Sequence, residues 1–142
     1  MIKKVTNLLD FLFIVVCCLS FNVYAATEMS GVFFKDIADG QTVSSPFKVE
    51  MEVAGKKVGP AGEVLKGVGH HHIIIDGSFL KEGEVIPADQ THLHFGKAQT
   101  ETELTLTPGK HTLTLQFADG AHRSYGEAWS KTITIEVKQS VD

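Results

Sequence analysis

From Phe47 onward, apolar and polar side chains alternate with a period of two, and no stretch of a dozen residues carries a helical stripe. Phe47, Val49, Met51 and Val53 alternate with Lys48, Glu50 and Glu52, which predicts a half-buried strand. Leu104 and Leu106 predict a second strand, Leu113, Leu115 and Phe117 a third, and Ile133, Ile135 and Val137 a fourth. The threonines between these positions suit a pleated surface open to solvent on one side. Asp39-Gly40, Pro108-Gly109 and Asp119-Gly120 supply turns, because proline fixes φ and glycine accepts positive φ. Short strands separated by such turns predict an all-β, immunoglobulin-like antiparallel β-sandwich, with Trp129 closing one end of its core. Two segments escape the alternation: the glycine-rich stretch Ala54 to Gly69, and Gly77 to Gln90. Both read as long loops, which in a compact domain are usually functional.

The first 25 residues follow a different pattern. Lys3 and Lys4 precede an apolar stretch from Leu8 to Phe21, and Val23-Tyr24-Ala25 places small side chains where signal peptidase reads them. This predicts a signal peptide at 1–25, cleavage after Ala25, a β-sandwich domain at 26–142 and a periplasmic location. The uninterrupted run from Phe11 to Leu19 is short of the ~20 residues that span a bilayer, so no stable membrane anchor is expected after cleavage. Lipid attachment is disfavoured because no small residue precedes Cys17 or Cys18.

Cleavage changes the composition. Cys17 and Cys18 are the only cysteines, so the domain would have neither a disulfide nor a thiolate metal site. The whole chain carries a net charge of −4, and removing Lys3, Lys4 and Asp10 leaves −5, with no basic stripe to neutralise phosphates. Nucleic acid is therefore not an expected partner.

Five of the seven histidines fall in Gly69-His70-His71-His72-Ile73-Ile74-Ile75-Asp76 and Thr91-His92-Leu93-His94-Phe95-Gly96. Alternate strand residues share a face. Leu93 and Phe95 belong in the core, which sends His92 and His94 to the opposite side. The same parity groups His70 and His72 with Ile74, and His71 with Ile73 and Ile75. If the two strands are neighbours, His70, His72, His92 and His94 form one patch of four imidazoles. Neutral imidazole is a ligand for zinc and copper, and with Met29 and Met51 the only mature thioethers such a site favours Cu(II), Zn(II) or Ni(II) over Cu(I). The alternative is structural: hydrogen bonds to loop carbonyls, Thr91, Asp76 or Asp89. His111 begins a strand in phase with Leu113 and reads as a satisfied residue at the core edge. His122, in the polar loop Asp119 to Gly126, is a candidate fifth ligand. Arg123 and Tyr125 beside it read as loop caps.

Taken together, Pro60-Ala61-Gly62-Glu63, Gly69-His70-His71-His72, Pro87-Ala88-Asp89, Thr91-His92-Leu93-His94-Phe95-Gly96, Gln99-Thr100-Glu101, Pro108-Gly109-Lys110-His111 and Asp119-Gly120 to Tyr125-Gly126 resemble a family of small exported bacterial domains, the domain-of-unknown-function family 4399. The resemblance covers essentially all of residues 26–142. It implies a periplasmic immunoglobulin-like domain and assigns no activity, ligand or functional residue. His92-Leu93-His94 is also similar to the zinc-binding strand of alpha-type carbonic anhydrases and to the cupin motif. The former need a much longer chain, and in the latter a glutamate follows sooner than Glu101 follows His94.

Three functions compete at this level. The first is non-catalytic binding of a divalent transition metal by the histidine cluster. The second is an envelope accessory domain that contacts another protein and carries structural histidines. The third is a small metal-dependent hydrolase or hydratase, which requires an acid or base such as Glu63, Asp76 or Asp89 beside an open coordination position.

Overall fold

The computed structural model describes residues 29–139; the expected signal peptide and its cleavage site lie outside the described residues. Nine strands follow in order: β1 (Gly31–Phe34), β2 (Thr42–Ser45), β3 (Phe47–Ala54), β4 (Lys57–Val58), β5 (Val68–Ile75), β6 (His92–His94), β7 (Glu101–Leu104), β8 (Gly109–Ala118) and β9 (Ser130–Gln139). A 3-10 turn at Glu127–Trp129 precedes β9. The smaller sheet has the order β1-β3-β7, and the larger one β2-β9-β8-β5-β4, with β6 paired to β5.

The inward residues of β3, Phe47, Val49 and Met51, meet Leu113, Leu115 and Phe117 of β8 and Ile133, Ile135 and Val137 of β9 in one buried core. The alternation read from the sequence thus becomes an immunoglobulin-like β-sandwich. Its strands are not all antiparallel. β2 runs parallel to β9, and β4 runs parallel to β5. The four residues Thr42–Ser45 show only a weak alternation of exposure, and the two of β4 sit inside the glycine-rich stretch, so neither carries a readable pattern. Trp129 packs against the core beside Phe117 and Tyr125, with ring centroids 6.5 and 6.3 Å away.

β5 is buried on both faces, and that positions the site. Its register with β8 pairs His71 with Phe117, Ile73 with Leu115 and Ile75 with Leu113 on the core side. On the other side, His70, His72 and Ile74 lie opposite Ala118, Gln116 and Thr114. This outer face is covered by the segments 77–90 and 119–126. Thr114 Oγ1 donates to Gly77 O (2.8 Å), Leu80 N donates to Gln116 Oε1 (3.1 Å), and Gln116 Nε2 donates to Gly126 O and Trp129 O (both 3.1 Å). Ile86 of the covering segment is buried along with Ile74. Two covered faces explain why three consecutive isoleucines suit one strand.

Candidate functional site

The parity expected for β5 and β6 is present: Leu93 pairs with Ile73 on the core side, and His94 pairs with His72 on the outer side. His70 and His72 are 0% and 1% exposed, and their Nε2 atoms lie 3.0 Å apart. His94 sits at the open edge of the cluster, and its Nε2 is 3.1 Å from that of His122. The His70, His72, His94 and His122 rings converge, with centroid separations from 4.7 to 5.9 Å. One ligand atom from each of His70, His94 and His122 falls within 4.8 Å of the others.

His92 is not in this group, which departs from the patch of His70, His72, His92 and His94 expected from parity. The antiparallel register places His92 opposite Ile74, one step beyond His72 and away from His70. Its Nδ1 lies 2.8 Å from Asp89 Oδ1, an oxygen that also accepts from Thr91 N, Thr91 Oγ1 and His92 N. The His92 ring holds the Asp89 carboxyl well below the usual carboxylate range. For His92 the structural alternative therefore describes the geometry.

His122 fills the place expected for His92. It stands in the β8–β9 loop with φ 64°, a left-handed conformation that its turn requires. The turn is organised by Asp119, whose Oδ1 accepts from Ala121 N (2.8 Å) and Arg123 N (3.0 Å) and whose Oδ2 accepts from Arg123 Nε (2.8 Å). Ile86 N donates to His122 O (2.9 Å), which ties the loop to the covering segment. Gly120 approaches so closely that a Cβ would stand 2.0 Å from Glu63 O. The glycine-rich stretch thus braces the loop that carries His122. Arg123 is a loop cap, as expected, and Tyr125 Oη donates to Val68 O (2.8 Å) at the start of β5.

His111 lies apart, as its strand position suggested. Its Nδ1 is 2.8 Å from Asp76 Oδ2, and its Nε2 is 2.9 Å from Thr107 O. Asp76 raises the His111 pKa. His71 faces the core, where its ring meets Phe117 edge-on at 5.0 Å.

The electrostatics favour neutral rings. Burial lowers the pKa of His70 and His71 to about 4 and of His72 to about 2, with neighbouring imidazoles adding to the effect. Burial and then the charge of His122 lower that of His94. The buried Nδ1 atoms of His70 and His72 and both nitrogens of His71 have no hydrogen-bond partner. Such orphaned groups each cost about 1–3 kcal/mol, so this cluster works against stability. Polar groups kept buried at that cost point to a role other than folding. A tetrahedral ion bound through nitrogens at about 2.0–2.1 Å needs ligand atoms about 3.3 Å apart. The two Nε2 separations of 3.0 and 3.1 Å are close to that spacing, and His70, His94 and His122 are the three whose ligand atoms all lie within 4.8 Å of one another.

The cluster opens on a cavity of about 350 Å³ lined by His72, Ile86, Pro87, Ala88, His94 and His122. The acids that a hydratase would need as a base are placed otherwise: Asp76 bonds to His111, Asp89 bonds to His92, and Glu63 is exposed. The sequence offered His122 as a fifth ligand, and the structure makes it a full member of the cluster while His92 drops out.

No curated protein matches the chain. Among solved structures, the fibronectin(III)-like modules of Clostridium thermocellum CbhA are similar at a TM-score of 0.44 and 13% identity, covering 78% of this chain and 99% of that one. The family model described as Domain of unknown function (DUF4399) matches residues 49–138, including both histidine strands and the loop of His122, and the chain belongs to that family.

Proposed function

We propose that this protein is an exported periplasmic domain that binds one divalent transition metal ion, Cu(II) or Zn(II), without catalysing a reaction. The observation behind this reading is the convergence of four imidazoles, two of them fully buried, whose Nε2 atoms hydrogen-bond in two pairs, His70 with His72 and His94 with His122. His70, His72, His94 and His122 are the ligands, and neutral rings are the form that ligates. All four donors are borderline nitrogen atoms, which suit copper and zinc. Export rests on the tripartite pattern of residues 1–25.

The test is a titration of Cu(II) and Zn(II) into tag-free protein, followed by calorimetry and, for copper, by the visible spectrum. One equivalent binds to the parent. His94→Ala and His122→Ala weaken binding at least 100-fold, and His92→Ala leaves it within about threefold. Absence of binding by the folded parent would overturn the reading, and so would equal losses from His92→Ala and His122→Ala. Intact-mass analysis of the periplasmic form, expected to begin at Ala26, tests export; retention of residues 1–25 would refute it.

A further inference from the structure

We infer that the metal-loaded cluster is a receptor for a small organic carboxylate whose apolar tail lies along the segment 85–88. The inference rests on the metal site proposed above and goes beyond it by naming what the loaded site takes up.

The first part of the argument is charge. All four ligands are neutral imidazoles, so a divalent ion held by them keeps its full charge of +2 beside buried side chains. An uncompensated charge away from water is unfavourable unless a counter-charge reaches it. The nearby acid cannot serve. Asp119, the carboxylate that acts on His70, is consumed by Arg123 and by two backbone N–H groups on its own turn. Asp89 is likewise taken up by His92 and Thr91. With both of these carboxylates engaged, the open cavity beside the cluster is where a counter-charge from outside the chain would reach the ion.

The second part is shape. Three of the four rings, His72, His94 and His122, line the cavity together with the apolar Val85, Ile86, Pro87 and Ala88. An anion bound to the ion from this side has an apolar surface beside it. Val85 lines this cavity and is 63% exposed, so its side chain is open to a ligand entering from solvent. A halide or hydroxide would satisfy the charge and leave the apolar lining uncovered, whereas a short-chain monocarboxylate satisfies both. A carboxylate oxygen donates a lone pair to the metal as an added ligand, with no proton or electron transferred, and both copper and zinc accept a fifth ligand.

The test uses Cu(II)-loaded, tag-free protein titrated with sodium butyrate, sodium acetate and 1-butanol while the visible copper spectrum is recorded. Butyrate is expected to shift the spectrum saturably and to bind roughly tenfold more tightly than acetate, the gain for two partly buried methylenes. Butanol is expected to leave the spectrum unchanged. Val85→Asp places a carboxylate of the chain's own in the cavity lining; it should keep the copper and weaken butyrate at least tenfold. Failure of the parent to bind copper would overturn the metal reading itself. Copper binding without a saturable butyrate shift would overturn this inference alone, as would equal affinities for butyrate and acetate or a response to butanol.

Discussion

Replacing Gly96 by alanine probes the site without removing a ligand. A Cβ at Gly96 would stand 2.2 Å from both Cε1 and Nε2 of His94, and 3.1 Å from the Ala61 Cβ. Non-bonded heavy atoms prefer about 3.5–4.0 Å, so the imidazole must move by more than 1 Å. His94 lies at the exposed edge of the cluster, and its ring can swing toward solvent. The stability cost should therefore be small, below about 1 kcal/mol, or no more than ~8 °C in Tm for a domain of this size. Metal binding tolerates no such movement, because ligand distances hold to about ±0.2 Å. Disturbing a ligand's supporting contacts typically costs 10–100-fold in affinity, and displacing the ligand itself should reach at least the upper end. We expect Gly96→Ala to weaken Cu(II) and Zn(II) about 100-fold, close to 2.7 kcal/mol, and to match His94→Ala. The assay is calorimetric titration paired with a thermal melt of the metal-free protein. A folded Gly96→Ala variant that binds metal within threefold of the parent would refute the reasoning, since His94 would then not be a ligand in the position described.

Three further outcomes are expected. Asp119→Ala releases the turn that presents His122 and should weaken metal binding 10–100-fold; unchanged affinity would show that the turn holds its shape without the carboxylate. Gln116→Leu removes three hydrogen bonds that anchor both covering segments and should cost roughly 2–4 kcal/mol, read as a fall in the urea midpoint; a loss under about 1 kcal/mol would contradict the anchoring role. The metal-free protein should lose stability as pH falls from about 6.5 toward 4, because the unfolded chain protonates His70, His71 and His72 near their ordinary values while burial keeps them neutral in the fold. His111, raised by Asp76, acts in the opposite sense, adding stability below pH 6.5 that is lost as pH rises through its higher pKa; it is one histidine against the four whose pKa is lowered, His94 included. Melting temperatures that do not change between pH 7 and 4.5 would contradict this balance.

Much of the fold was legible because its central strands are half buried. Phe47 to Met51, Leu113 to Phe117 and Ile133 to Val137 alternate because one face meets the core and the other meets water or polar cover. The parity of the histidines was legible for the same reason, with Leu93 fixing the inward side of β6. The register was not. Nothing in Thr91 to Gly96 says whether His92 or His94 will face His72, since that depends on where the segment 77–90 returns the chain to β5. His122 was harder still: its position depends on the Asp119 clasp and on Gly62 N donating to Gly120 O, contacts across nearly sixty residues of sequence. Polar β2 and the two-residue β4 lack the alternation that reveals a strand, and their parallel pairings become visible only when β9 and β5 are in place.

The four rings come from three separate places: β5, β6 and a loop between β8 and β9. The chain before folding holds only the adjacent histidines of β5 as a local group, and these lack the geometry of the finished cluster. If the cluster binds a metal as proposed, selection of the ion would come late, once the sheet has closed and the β8–β9 loop has settled. On that reading, the surroundings in which the domain folds would decide which ion it takes up.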